Sequence, residues 1–231
     1  MHEDQLRENL SLVREAIEAA ARRSGREGRE VKLVAVTKSH PFETIRSALS
    51  LGIRDIGENR IEELQEKAGV LGRHAAVWHM VGHLQSRKAR KAVGATDLLH
   101  SLDTLKLARR LSSFTVEDDS VLPVLFQVNV SGEGAKSGFP VDQAVESIHE
   151  VLELPGLEVR GLMTMAPFVD DEKILRRTFA GLRRTLEEAG RLPGFVGREL
   201  SMGMTHDFEL AVEEGSTMVR IGTALFGERP G

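Results

Sequence analysis

The chain contains no cysteine and no tyrosine. Without thiols there are no disulfides, no zinc–thiolate sites and no cysteine nucleophile, and such a chain fits a reducing compartment. No apolar run approaches the roughly 20 residues of a membrane-spanning helix. The opening MHEDQLRENL is charged and has no apolar core segment, so no secretory signal is expected. These absences point to the cytoplasm. A surplus of positive charge is also missing: 31 Lys and Arg stand against 35 Asp and Glu, a formal charge of -4. That argues against a generic nucleic-acid binder, which neutralises phosphates with excess Lys and Arg.

What is present suits one larger α/β domain: 231 residues, 41% hydrophobic, enough for a sizeable core. Leu6, Leu10, Val13, Ile17 and Ala20 recur at helical spacing and predict a helix over 1–24. From Val31 onward, short apolar runs alternate with amphipathic stretches. The runs are 31–38, 55–59, 77–83, 98–103, 121–130, 159–165, 197–203 and 217–227. Several intervening helices end at glycine, the usual residue just past a helix C-terminus. Continuous apolar strands separated by helices imply a parallel sheet covered on its outer face. Eight strands at this length predict a (β/α)8 TIM barrel over 31–227, with the extra N-terminal helix standing in for the missing eighth, all as one domain over 1–231. A doubly wound open sheet is the rival, because the run at 55–59 is short.

In such a barrel the chemistry gathers at the C-terminal ends of the strands. Those ends present Lys38, Glu58 and Asn59, His83, Asp103, Asn129, Met165, Ser201 and Gly203, then Arg220, Gly222 and Thr223. Lys38 closes the first run, VKLVAVTK. A lysine amine titrates at about 10.4 and is a poor nucleophile while protonated. Desolvation or a nearby cation lowers that value and makes a reactive amine. Taken alone, the position favours a solvated lysine after a strand. The C-terminal stretch LSMGMTHDFELAVEEGSTMVRIGTALFG says more. Thr205 and Asp207 both suit the N-cap of the helix FELAVEEG. Helix N-termini and glycine turns bind phosphate through backbone N–H groups, and the loops after strands seven and eight are the usual phosphate site of these barrels. The alternative is a plain helix cap and a packing glycine. The pairing with a strand-end lysine tips the reading toward phosphate.

Other features weigh less. His79 and His83 are placed on one face of a predicted strand, where a core role outweighs zinc for want of a third ligand. SGEGAKSG (131–138) lacks the P-loop order and reads as a mobile loop, with Lys136 a second candidate amine. Arg87, Lys88 and Lys91 read as a solvated helix face, or as a cationic lure at the barrel mouth.

The stretches LVAVTKSHP, GIRDIGENRIEELQEK, WHMVGHLQSRKARK, LLHSLD, FQVNVSGEGAKSGF, GLMTMAPF and LSMGMTHDFELAVEEGSTMVRIGTALFG occur in this order from about residue 30 to the C-terminus. Together they resemble the pyridoxal phosphate homeostasis proteins, the YggS/PROSC family. The resemblance implies a fold-type-III barrel like the N-terminal domain of alanine racemase. It implies pyridoxal 5′-phosphate (PLP) held as a Schiff base on Lys38, Arg220 facing the pyridine nitrogen, and phosphate held by Thr205, Gly222 and Thr223. Asn59 and Ser201 would line the pocket. Departures from the family pattern are Arg60 in place of an aromatic, Arg87 in place of Asn, and Thr205 in place of Ser. Thr keeps the hydroxyl, and the two arginines are expected to make the rim more basic.

Racemisation on this scaffold needs two bases, one on each cofactor face. In alanine racemase the second is a tyrosine, and this chain has none. An arginine beside the pyridine nitrogen also disfavours a fully protonated electron sink. The expectation is a PLP store and donor in cofactor homeostasis, with little or no turnover, no catalytic residue and no metal. It would work as a cytoplasmic monomer, with PLP-dependent apo-enzymes as recipients and neither nucleic acid nor membrane as partner. A PLP-dependent racemase or lyase using His83 is the alternative. A phosphate-binding barrel enzyme with a structural lysine is a third reading.

Overall fold

The structure is a computed structural model that describes residues 3–134 and 137–228. Helix α1 (Glu3–Arg23) leads into strand β1 (Lys32–Val36), then α2 (Phe42–Ser50), β2 (Asp55–Glu58), α3 (Ile61–Leu71) and β3 (Val77–Met80). The short α4 (Ala89–Ala92) precedes β4 (Leu98–Leu102), α5 (Leu105–Glu117) and β5 (Leu122–Asn129). A two-residue β6 (Phe139–Pro140) follows, with α6 (Val141–Leu152), β7 (Leu157–Met163) and α7 (Glu172–Ala189). The chain finishes with β8 (Glu199–Ser201), α8 (Phe208–Glu213), β9 (Met218–Ile221) and α9 (Thr223–Phe226).

All strand pairings are parallel, in the order β4-β3-β2-β1-β9-β8-β7-β5, and β4 also pairs with β5. That last pairing closes the sheet, so the (β/α)8 barrel is the architecture and the open sheet is excluded. Among the described residues β6 lies outside the closed ring and pairs only with β5. The apolar runs overestimated several strands. The run at 217–227 holds a four-residue strand and then α9, so the last strand is followed by a helix after all.

Side chains alternate along each strand between two cores. Val34, Val36, Val81, Leu98, Leu125, Met163 and Met218 fill the barrel interior. Ala35, Ile56, Trp78, Phe126 and Phe179 belong to the larger shell between strands and helices. The same period turns His79, His100 and Arg220 inward. Helix α1 is amphipathic as expected, and Leu6, Leu10, Val13 and Ile17 are buried. It packs against α8 and α9, and Asn9 donates to the Leu225 carbonyl at 2.9 Å. Helix α5 starts where the Thr104 hydroxyl accepts from the Leu107 N–H, and α7 where Asp171 accepts from the N–H groups of Lys173 and Ile174.

Gly161 in β7 has φ of 155°, and a Cβ there would lie 2.0 Å from the Glu199 carbonyl oxygen of the adjacent β8. The nearest atoms are all Glu199 backbone, which is not free to yield. Gly161→Ala is therefore expected to cost about 1–3 kcal/mol by overpacking. A urea denaturation midpoint equal to that of the parent would refute this reading.

Candidate functional site

At the C-terminal end of the barrel a cavity of about 660 Å³ is lined by Lys38, Asn59, Thr205, Arg220, Gly222 and Thr223, with His40, His83 and His206 among the other walls. Six of the seven candidate residues thus meet in one place. Ser201 is the exception: it is fully buried and reaches the cavity only through Arg220, whose Nη1 donates to its Oγ at 2.6 Å. A second hollow of about 770 Å³ lies at the opposite end, bounded by Lys32, Arg54, Asp55 and the charged face of α1. The first has the reactive side chains.

Lys38 lies two residues past the end of β1, and the alternation that puts Val34 and Val36 inside continues to it. β1 pairs with β9, so Lys38 and the loop after β9 are neighbours. The turn that follows is unusual, because Ser39 is a non-glycine residue with φ of 63°. Its N–H donates to Glu63 Oε1 at 2.7 Å. The same oxygen accepts from Lys67 Nζ at 2.7 Å, and Lys67 also donates to Glu58 Oε1 and to the Thr37 carbonyl, each at 2.7 Å. All three ammonium hydrogens are used. Burial pushes the Glu58 carboxyl up from its ordinary value, while Lys67 and the Thr37 hydroxyl pull it back. Lys67 and Glu63 escaped the sequence reading. The only signal was their i,i+4 spacing on α3, which normally marks a solvated pair.

Arg220 is buried, and its Nη2 donates to the Thr164 carbonyl at 3.0 Å. Burial brings its pKa down to about 10, with Asp207 acting in the opposite direction. Burial likewise raises Asp207, whose Oδ1 accepts from the Met204 N–H at 2.6 Å. The expected capping is redistributed. Asp207 precedes α8 but braces the preceding turn instead of capping it. Thr205 serves a different helix: its Oγ1 accepts from the Ala224 N–H at 3.3 Å, at the start of α9. That contact ties the loop after β8 to the loop after β9, as one wall of the cavity.

His83 is not on a strand, since β3 stops at Met80. It stands in the following loop, with Nδ1 2.7 Å from Asp103 Oδ2. His79 is fully buried and both its ring nitrogens are engaged, by His100 and Asp55. Arg60 and Arg87 do not line the cavity. Arg60 borders a separate surface hollow with Ser39 and Glu63, and Arg87 Nε donates to Gln85 at 2.9 Å. The rim is therefore not made basic by them. Lys88 and Lys91 both pair with Glu62, at 2.9 and 3.0 Å. Lys136 lies outside the described residues. Among the described residues no helix is long and apolar enough to cross a membrane.

The family pattern described as the N-terminal domain of alanine racemase matches residues 2–230. The pyridoxal phosphate homeostasis protein of Aquifex aeolicus (strain VF5) is 40% identical over 222 residues, covering 96% of this chain and 97% of its own. A crystal structure of an unknown protein from Bifidobacterium adolescentis superposes with a TM-score of 0.92 at 39% identity, over 97% of this chain and 95% of that one. PipY of Synechococcus elongatus PCC7942, in a structure with PLP bound, superposes with a TM-score of 0.84 at 34% identity, over 96% of this chain and 100% of its own. A closed parallel barrel, a lysine after its first strand and this degree of identity over nearly the whole length have one reading: the chain belongs to the family of pyridoxal phosphate homeostasis proteins, built on the alanine racemase N-terminal barrel.

Proposed function

We propose that this chain binds pyridoxal 5′-phosphate in the C-terminal cavity and holds it reversibly on Lys38, as a store and source of the cofactor with little or no turnover. The observation that carries the reading is the meeting of Lys38, Thr205, Arg220, Gly222 and Thr223 around one cavity. The donor set fits the group. When bound, the cofactor supplies an aldehyde that condenses reversibly with an amine. Lys38 contributes that amine. The hydroxyls of Thr205 and Thr223 and the backbone at Gly222 are suited to a phosphate. A Cβ at Gly222 would come within 3.3 Å of the Val36 carbonyl oxygen, so this loop lies close against β1 and near Lys38. Arg220 would face the ring nitrogen, with Ser201 behind it and Asn59 as a further lining residue. A guanidinium donates a hydrogen bond but does not hand over its proton, which leaves the ring a weak electron sink. The absence of tyrosine removes the second base that racemisation would use. Homologues that carry the homeostasis name support the same role, and the recipients in this reading are PLP-dependent apo-enzymes.

The test is peptide mass spectrometry after addition of the cofactor and reduction with borohydride. One equivalent on the peptide containing Lys38 is expected. Absence of any adduct would overturn the reading. The alternative, a racemase or lyase, draws on one feature: His83 lines the cavity and is oriented by Asp103 at 2.7 Å. Robust turnover of a free amino acid at saturating cofactor would favour it.

A further inference from the structure

Behind Arg220 a chain of polar side chains crosses the barrel from one end to the other. Arg220 Nη1 is 2.6 Å from Ser201 Oγ. Ser201 Oγ is 2.9 Å from His100 Nδ1. His100 Nε2 is 2.9 Å from His79 Nδ1, and His79 Nε2 is 3.0 Å from Asp55 Oδ1. Ser201, His100 and His79 are completely buried and Arg220 nearly so. Asp55 is the first residue of β2, at the far end of the barrel, where it borders the second hollow.

With His79 neutral, the two ends set the direction of every link. A guanidinium only donates, so Ser201 Oγ accepts from Arg220. An ionised carboxylate only accepts, so His79 carries its proton on Nε2 and donates to Asp55. A neutral His79 then has a bare Nδ1, which must accept from His100 Nε2–H. His100 in turn has a bare Nδ1, and that accepts the hydroxyl hydrogen of Ser201. Each donor has one acceptor and none is left over. The competing assignment makes His79 a cation and turns the His100 and Ser201 links around. It places a second buried charge near Arg220 and leaves the Ser201 hydroxyl hydrogen without a place in the chain, both costly for fully buried groups. Burial, the largest cause, holds His100 well below its ordinary range, which agrees with a neutral ring. Other charges act on the chain from its flanks: Lys32 Nζ lies 3.8 Å from Asp55 Oδ1, Asp97 acts on His79, and Asp207 acts on Arg220.

We propose that Ser201, His100, His79 and Asp55 are positioning residues for Arg220, linked as a one-way chain of hydrogen bonds that fixes the guanidinium where it faces the cavity. Bonds aligned in one sense polarise one another. The Asp55 charge therefore reinforces the placement of Arg220 from the other end of the barrel, and a change at Asp55 is felt at the site. The consequence for the cofactor rests on the reading given under Proposed function. The chain itself does not.

The experiment reads the histidines by nitrogen-15 NMR in the cofactor-free protein. At neutral pH both His79 and His100 are expected as neutral rings protonated on Nε2 alone. A ring protonated on Nδ1, or on both nitrogens, overturns the proposal whether or not the protein binds pyridoxal phosphate. In Asp55→Ala the chain loses its acceptor, and His100 is expected to show a mixture of tautomers. Asp55→Asn keeps an acceptor oxygen and should keep the single tautomer. An unmixed Nε2 tautomer in Asp55→Ala also overturns it. With the cofactor added, Asp55→Ala should bind about tenfold more weakly, the scale of one buried hydrogen bond, and Asp55→Asn should stay close to the parent. Equal affinity of Asp55→Ala and the parent would remove the link to the site.

Discussion

The Lys38→Ala protein, given pyridoxal phosphate and then borohydride, should retain no covalent cofactor, and its visible absorption band should be absent. Lys38 is the amine that the barrel brings into the cavity beside Thr205, Gly222 and Thr223. The remaining contacts are hydrogen bonds, each contributing about 0.5–1.5 kcal/mol net, or more toward a charged group. They would hold the phosphate, but no trapped product would form. The fold should not change: Lys38 is half-buried and lies past the end of β1, so the unfolding free energy should stay within about 0.5 kcal/mol of the parent. A full equivalent trapped elsewhere in Lys38→Ala, on Lys136 for example, would show that the amine had been wrongly assigned.

Lys67→Met should destabilise the protein by about 3–5 kcal/mol, the effect of removing one partner from a buried ion pair. Lys67 and Glu58 are both buried, with Nζ 2.7 Å from Oε1. Among the described residues Glu58 Oε2 has no hydrogen-bond partner at all. Glu58 is thus held by Lys67 and the Thr37 hydroxyl alone, and without Lys67 its charge has no counterpart. The damage reaches further, because Lys67 also clamps Glu63, which holds the Ser39 N–H in its left-handed turn. The double variant Lys67→Met with Glu58→Gln removes both charges and should recover most of the loss. Urea denaturation measures both proteins. A single variant within about 1 kcal/mol of the parent, the range of exposed pairs, would mean that the pair behaves as a surface one.

The two results bear on each other. In the proposed role Lys38 supplies the amine, and the cluster of Thr37, Glu58, Glu63 and Lys67 fixes the turn from which Lys38 enters the cavity. Catalytic power is not needed for such a turn to be rigid. A cofactor store has to place its amine reproducibly and release the aldehyde again, and a fixed turn serves the first requirement without opposing the second.

Much of this was legible in the linear order of residues, because the relevant signals are local. The helix from Leu6 to Ala20 announces itself by spacing. The eight barrel strands announce themselves as apolar runs, since strands covered on both faces need not alternate polar residues. Strand-end placement follows once a barrel is accepted, so Lys38, Asn59, Arg220, Gly222 and Thr223 are expected at one end, and they line one cavity there. The errors fall where a local signal has more than one structural use. An apolar run does not say where a strand stops, so His83 was placed on β3 when it stands in the loop beyond. A hydroxyl before a helix looks like the cap of that helix, yet Thr205 binds the N–H of Ala224, nineteen residues further on. Arg60 and Arg87 are expected at the rim as departures from the family pattern, and neither lines the cavity.

The sequence alone determined the period of each element, the residues at the strand ends and, through absences, the chemistry that is ruled out: no thiol and no tyrosine base. Barrel closure decided the rest. Pairing β4 with β5 and β1 with β9 brings Ser201 to His100 across 101 residues and Thr164 to Arg220 across 56. A hydrogen bond acts over about 3 Å, so its partner is chosen by position in space, and sequence periodicity holds no record of it. The residues at each strand end could be read in advance, because they follow from local order. The use of Ser201, the role of Lys67 and the line from Arg220 to Asp55 appear only when the ring is closed.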